Sequence, residues 1–503
     1  MNIYINLFLL GSATTLLFPP FFFIPIGFII IPYFFYKITV FSNQKKFKES
    51  FVEGFVYGLG LNFFLFFWLK NPFLIEQETK NFFYLSYLYV FYASIYYGLL
   101  VVIVRYFKNE SIQIIVFPII FVLLEIIRSK LFIGFPWNLF GYIFSHSSYL
   151  FGISKYIGTY ALSYVVVVIF LVPFQIFNII NKKGYRFNIY YLSIFLSILT
   201  ILYIYSFINQ AGKNLNQVYS LDVVVYQSNT PQNEKWDLDK ASDRFEHLVN
   251  FIEANSKNTN PTVIIYSETE IPYIVSENDK ILNFIQSKLD NNTAVIIGGI
   301  RKNLYKKYFN SIFIINSKNI NYFDKKILVP FGEYIPLKNF IPFINKFTYG
   351  SSDFSTGKEY RSLSLFENIN FIPTICFENI FFEDIVSSYN YNNTIIVNIT
   401  NDSWFGKYQG PYQHFYQSIV RSSELNKYLI RVSSNGISAI IDPNGKVLTS
   451  TSLNEKITIK YNLKIENYEG TKYFNMKYTI FYLYLFIILL ISSIIEIFLR
   501  NER

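Results

Sequence analysis

The sequence predicts a two-part protein: a multi-pass α-helical membrane domain of about eight transmembrane helices, joined to one extracytoplasmic α/β domain. Three observations predict it. Of the 503 residues, 52% are hydrophobic and only 16% charged, against about 25% charged in soluble domains. From Ile5 to about Phe207 the apolar residues fall into long runs, and a membrane helix needs ~20 such residues. From about Leu221 to Leu463 the runs become short and β-branched and alternate with amphipathic stretches, the pattern of an α/β fold.

Seven spans are expected near 5–17, 20–40, 51–69, 82–105, 111–128, 155–179 and 188–208. The first, short and cut off by Phe18-Pro19-Pro20, lacks the basic n-region and small-x-small cleavage site of a signal peptide, so it is read as a membrane helix. Basic residues follow the even-numbered spans: Lys45, Lys46 and Lys48, then Arg105 and Lys108, then Lys182, Lys183 and Arg186. The other loops mix signs (Lys70, Glu76, Glu78, Lys80) or carry few charges. The positive-inside rule therefore places the N-terminus in the cytoplasm and the exit of span seven outside. An eighth run, Tyr478–Leu499, ends in Arg500 and Arg503 and returns the C-terminus to the cytoplasm. The expected divisions are a membrane domain over 1–212, the α/β domain over 220–465 and a closing helix over 476–499. Much of the net charge of +10 is thus a topology signal, which favours membrane lipid over nucleic acid as a partner.

Glu125 and Arg128 sit three apart at the end of span five, before Gly134-Phe-Pro-Trp137-Asn-Leu-Phe-Gly141. Two readings stand: an ion pair lining a lipid or substrate access path, or an interfacial Trp with a snorkelling Arg.

Strands are expected at Val223–Tyr226, Val263–Tyr266, Ala294–Ile297, Ser311–Ile315, Ile372–Ile375, Ile395–Ile399, Leu429–Val432 and Ile437–Ile441. Ala241, Phe245, Leu248, Val249 and Ile252 share one face of a helix. Ser276-Glu-Asn-Asp279 reads as a capping box before Ile281, Leu282, Ile285 and Leu289, with Asp in place of Glu or Gln.

The chain has one cysteine and three scattered histidines, His146, His247 and His414. This excludes an intramolecular disulfide framework and a multi-Cys metal site and speaks against a metalloenzyme; no metal or cofactor is expected. Alone, Cys376 reads as a small buried hydrophobe. Its position, at the end of the apolar run Phe371–Ile375 and before a helix-like pattern, suits a nucleophile instead: helix N–H groups and a nearby ammonium lower a thiol pKa. Two other polar segments stand out, Tyr266-Ser-Glu268-Thr-Glu270-Ile-Pro272 and Lys325-Lys-Ile-Leu-Val-Pro330-Phe-Gly-Glu333-Tyr-Ile-Pro336. A thiol, a carboxylate base and a lysine make a workable set for acyl transfer, in which the base takes the thiol proton and the ammonium and a backbone N–H hold the oxyanion. Glu270 competes with Glu268 for the base, and Lys326 with Lys325 for the cation. Glu333 has the bland reading of a lysine's counter-ion, Glu378 of a first-turn acid favoured by the helix dipole, and Trp236 and Trp404 of packing residues.

Glu, Lys and Cys in this order, each after a strand, resemble the nitrilase (carbon–nitrogen hydrolase) superfamily. The flanking words are more specific. Leu328-Val-Pro-Phe-Gly-Glu333-Tyr-Ile-Pro336, Asn401-Asp-Ser-Trp404-Phe-Gly406, Gly410-Pro-Tyr-Gln-His414-Phe, Ser434-Asn-Gly436-Ile-Ser and Gly134-Phe-Pro-Trp137 resemble the apolipoprotein N-acyltransferases over nearly the whole chain. That resemblance implies a nitrilase-like α-β-β-α sandwich on the periplasmic side of a bacterial inner membrane. It implies an acyl donor phospholipid, typically phosphatidylethanolamine, a thioester on Cys376, and a diacylated apolipoprotein as acceptor. Glu268 would be the general base and Lys325 the oxyanion group, with Glu333, Phe377 and Glu378 in support and Trp236 in substrate binding. The family's usual tyrosine after the nucleophile is Phe377 here, which leaves only its backbone N–H. Two rival readings are a membrane-tethered amidase acting on a soluble amide and a non-catalytic scaffold.

Overall fold

The computed structural model describes residues 3–40, 46–75, 77–132, 134–211, 218–276, 279–336, 353–358, 361–382, 385, 393–466 and 479–501. Lys45, Glu76 and Arg503, used above for topology, lie outside the described residues, as do the junctions at 212–217 and 467–478. The fold forms two units. One comprises Met1–Leu69, Tyr84–Lys213 and Thr471–Arg503; the other comprises Lys70–Phe83 and Asn214–Gly470. The short segment 70–83, which lies between two expected spans except for its last two residues, groups with the α/β unit.

The first unit is helical. Helices α1 (Ile3–Thr14), α2 (Gly27–Thr39), α3 (Phe47–Leu65), α4 (Ser86–Tyr106), α5 (Glu110–Lys130), α6 (Ser154–Ile180) and α7 (Tyr185–Ala211) fall on the seven expected runs, and a last helix covers Thr479–Asn501. Among the described residues, Lys80–Tyr106, Glu110–Lys130 and Ser154–Ile180 are each long and apolar enough to cross a membrane. Phe47–Leu65 makes a fourth if counted with Phe67–Leu74, from which it is bent by 48°. Charge inside such a bundle has to be paired. Arg105 on α4 meets Glu53 on α3 at 2.5 Å and also donates to Ser50 Oγ and to the Ile38 carbonyl of α2, so one side chain ties three helices.

Glu125 and Arg128 do something neither expectation stated. Glu125 Oε1 accepts from Phe140 N–H at 2.9 Å, and Arg128 donates to the Trp137 carbonyl at 3.1 Å and to the Tyr89 hydroxyl at 3.2 Å. The two clamp the Gly/Pro loop onto α5. Trp137 is fully buried, stacked on Phe135 and 5.0 Å from Trp68, so it is no interfacial belt residue.

The second unit is built on two sheets. Its strands are β1 (Val218–Gln227), β2 (Thr262–Ile265), β3 (Ile274–Ser276), β4 (Thr293–Lys302), β5 (Tyr308–Asn316), β6 (Ile320–Asp324), β7 (Leu363–Phe366), β8 (Ile369–Ile375), β9 (Asn393–Thr400), β10 (Tyr428–Ser433), β11 (Ala439–Ile441), β12 (Val447–Ser450) and β13 (Ile457–Glu466). One sheet runs β13-β1-β2-β4-β5-β6, with β3 also on β4, and the other runs β12-β11-β10-β9-β8-β7. Each has a parallel centre, β1-β2-β4 or β8-β9-β10, and antiparallel flanks. Helices α8 (Ala241–Ala254) and α9 (Lys280–Gln286) bury Leu248, Val249, Ile252, Leu282 and Ile285 against Val224, Ile264, Val295, Ile297 and Phe313. The alternate residues Val223, Val225, Val263, Ile265 and Ile296 are also buried and point to the opposite face, where β1 meets β10 and β5 meets β8. Burial on both faces explains the near-continuous apolar runs.

Two local expectations change. Asp279, not Ser276, caps α9: its carboxylate accepts from Ile281 N–H and reaches back to the N–H of Ser276, which ends β3. The helical pattern after Cys376 opens as a 3₁₀ turn, Cys376–Ile380.

Candidate active site

Functional groups of α/β sheets gather at strand C-terminal ends, and each of the three candidate residues follows a strand. Glu268 follows β2, Lys325 follows β6 and Cys376 follows β8. Gly298 on β4 lets the Glu268 turn approach closely, since a Cβ there would lie 2.7 Å from the Glu268 Cα. Cys376 has φ +54, a left-handed conformation that costs a non-glycine residue of order 1–3 kcal/mol and marks sites where geometry outranks comfort.

All of the predicted charged residues are buried, and they form connected sets. Lys325 Nζ lies 3.0 Å from Glu333 and 3.6 Å from Glu268. Asn310 on β5 bridges the two carboxylates, donating to Glu268 Oε1 at 2.7 Å and to Glu333 Oε1 at 2.8 Å. Glu333 Oε2 accepts from Val329 N–H, which fixes the Pro/Gly loop. Glu268 Oε2 is buried with no hydrogen-bond partner among the described residues. Of the two alternatives, Glu270 accepts from Ser267, and the Lys326 N–H donates to Glu378; Glu268 and Lys325 are the pair that lie 3.6 Å apart. Glu378 takes the N–H groups of Lys326, Ile327 and Ile375, locking the Cys376 turn to the lysine loop. Phe377 is buried, with its ring 5.5 Å from Lys325 Nζ and edge-on to Phe381. Trp236 is half-buried, beside a residue the sequence reading passed over. That residue is Lys235, buried, whose ammonium donates to the Glu268 carbonyl at 2.9 Å.

The electrostatics follow from this packing. Burial pushes the Glu268 carboxyl up, against the opposing pull of Lys325. Burial works against the Lys325 charge, but Glu333 and Glu268 outweigh it and hold the ammonium above the usual lysine range. Lys235 is lowered by burial, opposed by Glu270 and Glu268. Glu378 is pushed up to about 7 by burial, with its three N–H bonds and Lys325 acting against the shift. The Cys376 thiol is pushed up by burial and then by Glu268, although Lys325 and the Thr400 hydroxyl pull it down. The expected low thiol pKa is therefore not met in this resting site: desolvation exceeds what one ammonium and a 3₁₀ turn supply. Burial thus favours the neutral thiol, and the Glu268 carboxyl keeps one oxygen without a hydrogen-bond partner among the described residues.

A second buried network holds the Cys376 backbone. Asn398 on β9 donates to the Cys376 carbonyl at 3.1 Å, and Arg431 on β10 donates to Asn398 Oδ1 at 2.9 Å and to Asp402 at 2.6 Å. Asp402 also meets His414, on α10 (Gln409–Leu425), at 2.9 Å. Burial raises the Asp402 pKa, but Arg431 and His414 outweigh it and hold the carboxyl below the ordinary carboxylate range. His414 is lowered by burial and by Arg431. A Cβ on Gly436 would meet Asp402 Oδ2 at 2.0 Å, so the three words around Asp402, His414 and Gly436 describe one packed cluster. No group of three metal-ligating side chains occurs among the described residues.

A thiol, a buried carboxylate and a lysine at the strand ends of a double α/β sheet define a carbon–nitrogen-hydrolase-type enzyme, and residues 225–473 match the carbon-nitrogen hydrolase family model. The helical unit carries a second match, over residues 10–172, to the apolipoprotein N-acyltransferase N-terminal domain. The chain is 33% identical over 475 residues to the apolipoprotein N-acyltransferase of Rickettsia prowazekii, covering 89% of each chain. It is 32% identical to that of Rickettsia typhi, again covering 89% of each. It is 29% identical to that of Brucella melitensis, covering 89% of this chain and 87% of the relative. The chain belongs to the apolipoprotein N-acyltransferase family, a family of membrane acyltransferases.

Proposed function

We propose that this chain moves an acyl chain from a phospholipid, with phosphatidylethanolamine the expected donor, to the α-amino group of the diacylglyceryl-cysteine that begins an apolipoprotein. Glu268 Oε2 accepts the Cys376 proton as Sγ attacks the ester carbonyl, and Lys325 with the Phe377 N–H stabilises the oxyanion. The C–O bond breaks, Glu268 returns the proton to the departing lysophospholipid oxygen, and a thioester remains. The acceptor amine then attacks the thioester and gives its proton to Glu268, which passes it to Cys376 Sγ as the C–S bond breaks and the amide forms. One covalent intermediate serving two substrates in turn gives ping-pong kinetics.

The observation that carries this reading is the set of Glu268, Lys325 and Cys376 on three strand ends, with one carboxylate oxygen left unpaired. Glu333 and Glu378 orient the lysine and the nucleophile turn, and Trp236 is assigned to substrate binding. The same reading places eight membrane helices in a bacterial inner membrane, over 1–212 and 476–499, with the 220–465 domain on the periplasmic side and both termini cytoplasmic. Its support is the distribution of basic residues. Both substrates are lipid-anchored, so a domain tethered at each end raises their effective concentration.

The test is intact-protein mass spectrometry after incubation with phospholipid alone. A fatty-acyl adduct on Cys376, removed by hydroxylamine and passed to an added diacylated lipopeptide, is expected, and Cys376→Ala should form none. Ammonia release from small amides without any lipid transfer would sink the proposal in favour of an amidase. Absence of an adduct under conditions where lipoproteins are acylated would sink the thioester route.

A further inference from the structure

The tip of the β4–β5 hairpin departs from ordinary turn chemistry. Its geometry is firmly built. Asn303 N–H donates to the Lys307 carbonyl at 3.0 Å, Lys306 N–H to the Asn303 carbonyl at 2.9 Å, and Asn303 Oδ1 accepts from Lys307 N–H at 2.9 Å. Lys306 takes a left-handed φ of 60. The two outermost positions of such a turn favour Gly, Asn, Asp, Pro or Ser, yet they hold Leu304 and Tyr305, which are 81% and 85% exposed. Around them stand Lys302, Lys306 and Lys307, with no Asp or Glu between Ile300 and Asn310. No carboxylate pairs with these three lysines among the described residues, and Lys302 lies over the Tyr308 ring at 5.3 Å.

The position of the tip is also specific. Asn310, which holds the Glu268 carboxylate, pairs with Ile300, and the ladder ends two rungs further on at Lys302 and Tyr308. At about 3.4 Å per residue, those rungs are ~7 Å apart along the strands. The tip therefore projects from the same end of the sheet as Glu268, beyond the reacting groups.

We infer that this hairpin is a lipid-docking element: Leu304 and Tyr305 enter the headgroup layer of an anionic bilayer while Lys302, Lys306 and Lys307 bind its phosphates. An apolar or aromatic tip ringed by lysines is the chemistry of interfacial anchoring. Each lysine near an anionic surface adds attraction that salt screens. Neither the carboxylates of the site nor the strands need this tip, so conventional turn residues would serve the fold as well. The inference draws on the chain being a membrane protein and does not require the thioester chemistry.

The experiment uses the full chain in lipid nanodiscs. Leu304→Cys is introduced into the Cys376→Ala background and labelled with an environment-sensitive fluorophore. Lys318→Cys, exposed in the turn at the opposite end of β5, is the control, and Tyr305→Cys is a second reporter. Brominated phosphatidylglycerol discs should blue-shift the Leu304 label and quench it several-fold more than the Lys318 label. The joint charge reversal Lys306→Glu and Lys307→Glu should lose most of that quenching. Equal quenching at both ends of β5 overturns the inference. Quenching that persists unchanged after charge reversal and in uncharged phosphatidylcholine discs overturns the anionic-lipid assignment. A label that responds only to added acceptor lipopeptide reassigns the tip to that partner and overturns it as well. The reporter chain has no nucleophile, so these outcomes are independent of whether acyl transfer occurs.

Discussion

Two buried ionic clusters act on Cys376, and they are built to opposite ends. At the centre of one the Arg431 guanidinium is saturated: it reaches Asp402, Asn398, Ser418 and the Ile437 carbonyl. Around Lys325 one ammonium faces two carboxylates, and Glu268 keeps an oxygen unpaired. A saturated cluster fixes geometry, because any broken link strands a buried charge. An unsaturated one holds a proton acceptor in a desolvated and therefore basic state. On the proposed mechanism, the difference separates what holds the Cys376 backbone from what reacts with its thiol.

Substitutions can break that comparison. The largest effect is expected from Glu268→Gln, which should slow acyl-enzyme formation by ~10²–10⁴-fold. It should leave the thermal midpoint nearly unchanged, since Lys325 keeps its closer counter-ion Glu333 at 3.0 Å and one Glu268 oxygen had no hydrogen-bond partner. Single-turnover kinetics beside a melting curve reads both, and a large loss of stability would count against the open-cluster view. Asp402→Asn should show the reverse weighting. Leaving Arg431 buried with a neutral partner is expected to cost ~3–5 kcal/mol of stability, visible in denaturant unfolding of the detergent-solubilised chain. If instead it melts like the parent but is inactive, Asp402 has a chemical role.

Lys325→Met sharpens the comparison through pH. It should lower transfer by ~10²–10³-fold. The charge of Lys325 lowers the Glu268 pKa, so its removal raises that pKa, and the acid limb of the rate profile should move to higher pH. A limb that stays put would mean that another group sets it. The smallest effect is expected at Glu378. Its folded pKa of about 7 lies above the ordinary 4.5, so the folded state binds the extra proton between these values. Stability therefore falls as pH rises across that window. Glu378→Gln should flatten this slope by up to about one proton, as equilibrium unfolding from pH 4 to 8 would record.

The sequence was most legible where pattern and chemistry coincide. β-branched runs revealed the central strands, and Glu268 and Cys376 each stood just past one, whereas β6 (Ile320–Asp324), the strand before Lys325, carries no such run. It was least legible where polar groups sit inside those runs. Asn310, Asn398 and Arg431 interrupt the apolar stretches of β5, β9 and β10, and a polar residue in a strand buried on both faces is itself a signal, because it has to be satisfied by a partner. Lys235 was hidden by its neighbour Trp236 and by a surface-like Glu-Lys context. The thiol pKa was misjudged because charge neighbours can be inferred from sequence, whereas the depth of burial that outweighs them cannot. Trp137 went the same way, its burial depending on Phe135, Trp68 and the Arg128 clamp together.

Within the α/β unit, Asn71 donates to the Phe405 carbonyl at 2.9 Å across 334 residues of chain, and a Cβ on Gly406 would meet Asn71 Nδ2 at 2.2 Å. The segment 70–83 is thus synthesised well before the sheets against which it packs. It must wait through the making of four further helices, so the unit closes late and at high contact order. For protein engineering, an excision covering only 214–470 leaves behind a strip of its own domain and uncovers the backbone beside Trp404.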